Sequence, residues 1–95
     1  MRIMETIGTV TLARCHPSLS SAVWKVAVPL MHSGLLGDAS GRTEPIVLYD
    51  ELGAGDGSLL AVSESAEAGA PFHPDTRPID AYNAAILNEI NVEEL

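Results

Sequence analysis

Residues 51–62 read ELGAGDGSLLAV, in which Gly53, Gly55 and Gly57 alternate with other residues and then give way to an apolar run. Three kinds of loop share this look. A phosphate-binding loop of the Walker type places a lysine and then Ser or Thr after its last glycine, because the ammonium group neutralises the terminal phosphates. Here Asp56 and Ser58 flank Gly57 and no lysine follows. A dinucleotide fingerprint needs a third glycine that opens a helix, whereas SLLAV after Gly57 is strand-like. An EF-hand-like loop needs oxygen ligands at alternate positions and a closing glutamate, and Asp50, Glu51 and Asp56 are too few and wrongly spaced. The remaining reading is structural. The glycines supply positive-φ geometry in a hairpin, with Asp56-Gly57 as the turn dipeptide and Ser58–Val62 as the strand it feeds.

Outward from this turn the chain reads as strands joined by Gly- and Pro-bearing loops. Met1 to Arg14 is rich in β-branched residues and predicts a long first strand, with Gly8 marking a bulge or a close backbone contact. Cys15 to Ser21 is a turn by composition. Trp24, Val26, Val28 and Leu30 then alternate with Lys25, Ala27 and Pro29, which predicts a second strand with the first set, Trp24 included, facing the core. Pro29 places the end of that strand or a sheet edge there. Met31 to Thr43 predicts a long connecting loop with an apolar tip at Leu35 and Leu36, and a loop of that length in a small domain usually carries a role. Pro45 to Tyr49 predicts a third strand.

After Val62, Pro71, Pro74 and Pro78 predict an exposed irregular segment, with one helical turn in SESAEA. The last stretch, IDAYNAAILNEINVEEL, fits either a helix, with Ile79, Tyr82, Ile86 and Ile90 on one face, or a closing strand. Glu93 and Glu94 read as a solvated acidic end. About five short strands in one domain, residues 1–95, predict an all-β chain, specifically a small OB-like β-barrel whose closure removes exposed edges.

Composition narrows the functions. Thirteen acidic residues against five basic ones give a net charge of −8, which disfavours nucleic acid and anionic membrane surfaces as partners. An OB-like barrel that binds single strands also needs a basic groove with stacking aromatics, and only Trp24, Tyr49, Phe72 and Tyr82 are aromatic. No apolar run reaches the length of a membrane span. The one cysteine, Cys15, excludes an internal disulfide framework and fits a cytoplasmic setting. A chain this short buries only about 60 to 65% of its unfolded surface, yet 46% of its residues are hydrophobic. The excess predicts a face covered by another subunit.

Cys15 and His16 with His32 and His73 lack the ligand spacing of a zinc site, and no acid, base and nucleophile converge in sequence. The expectation is a non-enzyme with neither metal nor cofactor.

The stretch YDELGAGDGSLLAV resembles the signature of the vertex proteins of bacterial microcompartments, the CcmL/EutN type, in which a strand ending in aspartate enters a Val-Gly-Ala-Gly-x-Gly turn and then another apolar strand. Leu52-Gly53-Ala54-Gly55-Asp56-Gly57 matches that turn, with Asp50 at the aspartate position. MRIMETIGTVTLARCHPSL is similar to the family's first strand, with its glycine at Gly8 and its turn proline at Pro17. Leu30 falls where the family's second strand gives way to a variable insertion, and Arg77-Pro78-Ile79-Asp80-Ala81 resembles its Pro-Val-Asp-Ala element. Two departures stand out. Ser65–Gly69 replaces a Gly-Ser-Ser-Ala-Arg run, so its arginine is absent, and Asn83, Asn88 and Asn91 interrupt a usually apolar last strand.

The resemblance implies a homopentamer that closes the corners of a polyhedral shell built mainly from hexameric shell proteins, around enzymes it does not itself assist chemically. It implies that the subunit-interface or pore turn consists of Asp50, Gly53, Ala54, Gly55 and Gly57, with Pro78 and Asp80. On this view Gly55→Val disrupts assembly by forbidding a positive φ and crowding a close approach. The alternative is an oligomeric barrel that binds a small molecule or partner and forms no shell.

Overall fold

The computed structural model describes residues 1–93; Glu94, half of the acidic end, lies outside the described residues. Five strands, β1 (Arg2–Val10), β2 (Val23–Pro29), β3 (Ile46–Asp50), β4 (Leu59–Glu64) and β5 (Ala81–Leu87), form a closed barrel in the order β1-β2-β3-β5-β4. Closure satisfies the ladder donors and acceptors that an open sheet leaves at its edges. The molecule is elongated, 45 × 26 × 21 Å.

Four junctions are antiparallel, and the fifth, β3 with β5, is parallel and consists of the single pair Tyr49↔Tyr82. Because β5 lies between β3 and β4, the segment joining those two strands is not a hairpin loop. It crosses one end of the barrel, which corrects the hairpin expectation while leaving Asp56-Gly57 in a turn closed by Ser58 N–H on the Gly55 carbonyl, 3.1 Å.

The barrel is filled by Met4, Ala27, Leu48, Leu60, Val62 and Ala81 together with Ala54 from the crossing segment. In β4 the period of two holds: Leu60 and Val62 are fully buried, and Leu59 and Ala61 are half-buried on the outer face. β2 reverses the expected phase. Ala27 pairs with Thr6 and packs in the core, so Lys25 and Pro29 share the inner face, and Trp24, Val26 and Val28 face outward. Trp24 is buried all the same, because its ring meets Tyr49 edge-on at 5.3 Å and Tyr49 in turn meets Phe72 at 5.2 Å. An apolar outer face covered by aromatics is indistinguishable in sequence from an inner one.

Other boundaries shift for local reasons. β1 ends at Val10, four residues short of the expected Arg14, and its register slips between Thr6 and Gly8, where a bulge was expected. The 31–43 connection is more ordered than a loop: α1 (His32–Leu35) and a 3-10 turn at Ala39–Gly41 pack backbone to backbone, and a Cβ on Gly41 would lie 2.0 Å from Gly34 N. A longer 3-10 segment, Ser65–Phe72, extends the single helical turn expected and buries Ala68 fully. Asn83 sits on the inner face of β5, fully buried, which settles the last stretch as a strand.

Candidate functional site

The crossing segment 50–58 is built around one carboxylate. Period-two alternation from the core residue Leu48 turns Asp50, the last residue of β3, inward, where it is 2% exposed. Its Oδ2 accepts from Ala54 N–H at 2.8 Å, and its Oδ1 accepts from Leu52 N–H at 3.0 Å and from Asn83 Nδ2 at 2.9 Å. The aspartate thereby replaces the backbone partners a turn lacks and ties it to β5. Burial alone would push the carboxyl up; the bonds from Asn83, Leu52 and Ala54, with the nearby Lys25 charge, outweigh it and hold Asp50 below the ordinary carboxylate value.

Gly53 (φ 78°) and Gly57 (φ 82°) take the left-handed conformations that reverse the chain on either side of Ala54. This reversal drives the Ala54 methyl into the core as a plug for the barrel end. Gly57 N–H donates to the Thr6 carbonyl at 2.7 Å and Thr6 N–H to Ser58 at 2.9 Å, fastening the far side of the turn to β1. Gly55 differs from its neighbours. It is not among the positive-φ residues, and a Cβ there would meet nothing nearer than Ser58 Oγ at 4.0 Å. The reason expected for the sensitivity of Gly55, a forbidden φ, is therefore corrected, and the chain itself leaves room for a side chain.

Of the sequence-derived site residues, Asp50, Gly53, Ala54, Gly55 and Gly57 share this turn. Pro78 and Asp80 are exposed on the segment entering β5, where the Asp80 carbonyl accepts from Ser65 N–H at 2.9 Å. Sequence reasoning missed three side chains that hold the turn's surroundings. Asn83, read only as a departure from an apolar strand, is the inner partner of Asp50. On the outer face, Tyr82 stacks on Tyr49 at 6.1 Å and donates its hydroxyl to Glu51 at 2.8 Å; burial and then that carboxylate push the hydroxyl up to about 12. Arg77 caps the same aromatic group, its guanidinium 4.2 Å above Phe72 and its NH1 donating to Tyr49 Oη at 3.0 Å. The period-two phase of AYNAAIL was the signal that placed Asn83 beside Ala81 on the inner face.

Around its buried carboxylate the turn presents an exposed surface, with Leu52, Gly53 and Gly55 to Gly57 all exposed. Among the described residues no three His, Cys, Asp or Glu side chains converge to hold a metal. Cys15 is exposed, His16 accepts from Ser18 N–H at 3.1 Å, and His32 Nε2 lies 2.7 Å from the Glu93 carbonyl. No helix among the described residues is long and apolar enough to cross a membrane. Apolar side chains nevertheless reach solvent, including Leu52 in the turn and Ile7, Leu12 and Val23 beyond it.

A family model described as Ethanolamine utilisation protein EutN/carboxysome matches residues 1–88. No curated protein sequence matches the chain. Among solved structures, the GrpN pentameric microcompartment shell protein from Rhodospirillum rubrum is 28% identical, with all of both chains covered and a TM-score of 0.77. CcmL of Nostoc sp. PCC 7120 is 24% identical over 95% of this chain and 92% of its own, TM-score 0.80. CcmL of Gloeobacter violaceus is 23% identical over 98% and 91%, TM-score 0.80, and these two likenesses speak to fold alone.

Proposed function

Because the chain belongs to the EutN/CcmL family, we propose that its residues 1–95 act as one domain, that five copies close into a ring, and that the ring caps the vertices of a polyhedral microcompartment shell in the cytoplasm. The observation that carries this reading is the end-to-end likeness to GrpN, a protein described as a pentameric microcompartment shell protein. The role is structural, and the partners are the hexameric shell proteins that surround each vertex.

A ring of five is heterologous: one patch of each subunit meets a different patch of the next. The 50–57 turn suits one such patch. Its conformation is fixed from within by Asp50, and Gly55 presents bare backbone outward, which permits a close approach by a neighbour. Asp50, Gly53, Ala54 and Gly57 shape this surface and Gly55 is its point of contact, with Pro78 and Asp80 at its margin. A ligand-binding barrel would need a hollow interior, whereas Met4, Leu48, Leu60 and Val62 are fully buried inside this one. Native mass spectrometry tests the reading: a dominant five-chain species that co-sediments with hexameric shell proteins is expected, and a monomer or dimer at every concentration would overturn it.

A further inference from the structure

The charge of this chain is divided as unevenly as its hydrophobicity. From Thr6 to Gly37 there is no acidic residue, while Arg14 and Lys25 give that run a formal charge of +2; the whole chain is −8, so the rest carries −10. The run begins where β1 passes the end of β4. β1 pairs with β4 over Arg2–Glu5 only, but with β2 as far as Val10↔Trp24. β2 stays in the wall there, paired with β3 over residues 23–27, so what continues past the end of β4 is the outer half of β1, residues 7–10, with the loop 11–22, as an arm.

Three features mark this arm as half of an interface. Ile7, Leu12 and Val23 are each more than 40% exposed, and Leu12 and Val23 help line an open groove of about 360 Å³ with Val10, Leu19, Ala22 and Trp24. Past Thr6, whose amide reaches Ser58, the β4 side of β1 has no strand partner among the described residues. Finally, every cation outside the run is engaged: Arg2 forks onto Glu64 at 2.6 and 2.9 Å, Arg42 pairs with Glu5, and Arg77 caps the aromatic group. Lys25 donates to Thr9 at 3.2 Å, leaving Arg14, exposed in the arm's loop, without a side-chain partner among the described residues.

We propose that the arm is the cationic, apolar half of the subunit contact and that it docks on the acidic barrel body of a second copy of this chain. The inference rests on the ring reading and identifies what that reading leaves open, the surface that meets the next subunit. Lys25 lies on the inner face of β2 near Asp50, so Arg14 is the arm's one outward cation; its attraction to an acidic body supplies a reason why a strongly acidic chain associates with itself, since attraction is local while repulsion is spread over the whole surface. Head-to-tail contact of this kind closes into rings.

The experiment is native mass spectrometry and sedimentation velocity of the full chain, wild type and Arg14→Glu, between about 20 and 500 mM salt, where the screening length falls from roughly 20 to 4 Å. The expected results are dissociation of the wild-type ring as salt rises and an approximately tenfold weaker ring for Arg14→Glu. Leu12→Ser is expected to weaken the ring equally at all salt concentrations, and circular dichroism melts of both variants are expected to match wild type. A wild-type pentamer that tightens with salt, or one indifferent to Arg14→Glu, would overturn the arm assignment and leave the vertex reading standing. Loss of binding to hexameric shell proteins with the ring intact would overturn it too, giving the arm to a different partner. A wild type that never forms five-chain species would overturn both.

Discussion

Two glycine-bearing segments of this protein look alike in sequence and differ in what their glycines are for. In the 31–43 connection, Gly34 and Gly41 face each other so closely that a Cβ on either would lie within 2.6 Å of the other's backbone. In the 50–57 turn, a Cβ on Gly53 or Gly57 would meet nothing within 4 Å, and one on Gly55 would meet only Ser58 Oγ at 4.0 Å. The first pair is required by packing inside the chain. Gly53 and Gly57 are required by backbone conformation, and Gly55 by neither. For Gly55 the reason we propose lies in the neighbouring subunit of the ring.

The sharpest way to break this contrast is at Gly41. Gly41→Ala forces backbone apart and is expected to lose about 3 kcal/mol, read from urea unfolding. A loss under about 0.5 kcal/mol would remove the packing half of the comparison.

Asp50→Ala comes next, with an expected loss of about 2 to 3 kcal/mol, since it leaves the Asn83 amide and two turn N–H groups without their acceptor. Acid probes the same group. Its folded pKa lies below the ordinary 3.8, so its contribution is fully present above that value and is lost as pH falls from about 4 through the lower folded pKa. Wild-type stability should decline over that window, and Asp50→Asn should decline less. Parallel acid curves would show that the turn is not organised by this carboxylate.

Gly57→Ala is smaller, about 1 kcal/mol, from the strain of a side chain at φ 82°. Gly55→Val is the smallest for the chain, within about 0.5 kcal/mol of wild type in unfolding, while the five-chain mass is lost. Unfolding costs at Gly55 and Gly57 that came out equal would erase the distinction within the turn, and an intact ring in Gly55→Val would place the contact elsewhere.

Much of this was legible in the sequence because the signals were local. β-branched runs marked the strands, Gly8 marked the bulge, Asp56-Gly57 marked a turn, and the resemblance to the vertex-protein signature extended that turn back to Asp50. What escaped depended on residues far apart in the chain. The β2 phase was misread because Trp24 is covered from outside by Tyr49, 25 positions on, and periodicity cannot say which of two apolar coverings is the core. The insertion of β5 between β3 and β4 left no local trace, so a crossing segment looked like a hairpin. Asn83 looked like a blemish in a strand until its partner at Asp50 was in place.

The line where β3 meets β5 is one residue pair wide, and every other junction has at least four. There the wall is held less by ladder bonds than by the Asp50–Asn83 bond on its inner surface and the Tyr49–Tyr82 stack on its outer one. Such a closure behaves as a clasp. The cylinder has a place to unroll without tearing a ladder, so hydrogen–deuterium exchange is expected to reach the strand amides along this line first, while those shared by β1 and β2 wait for global unfolding.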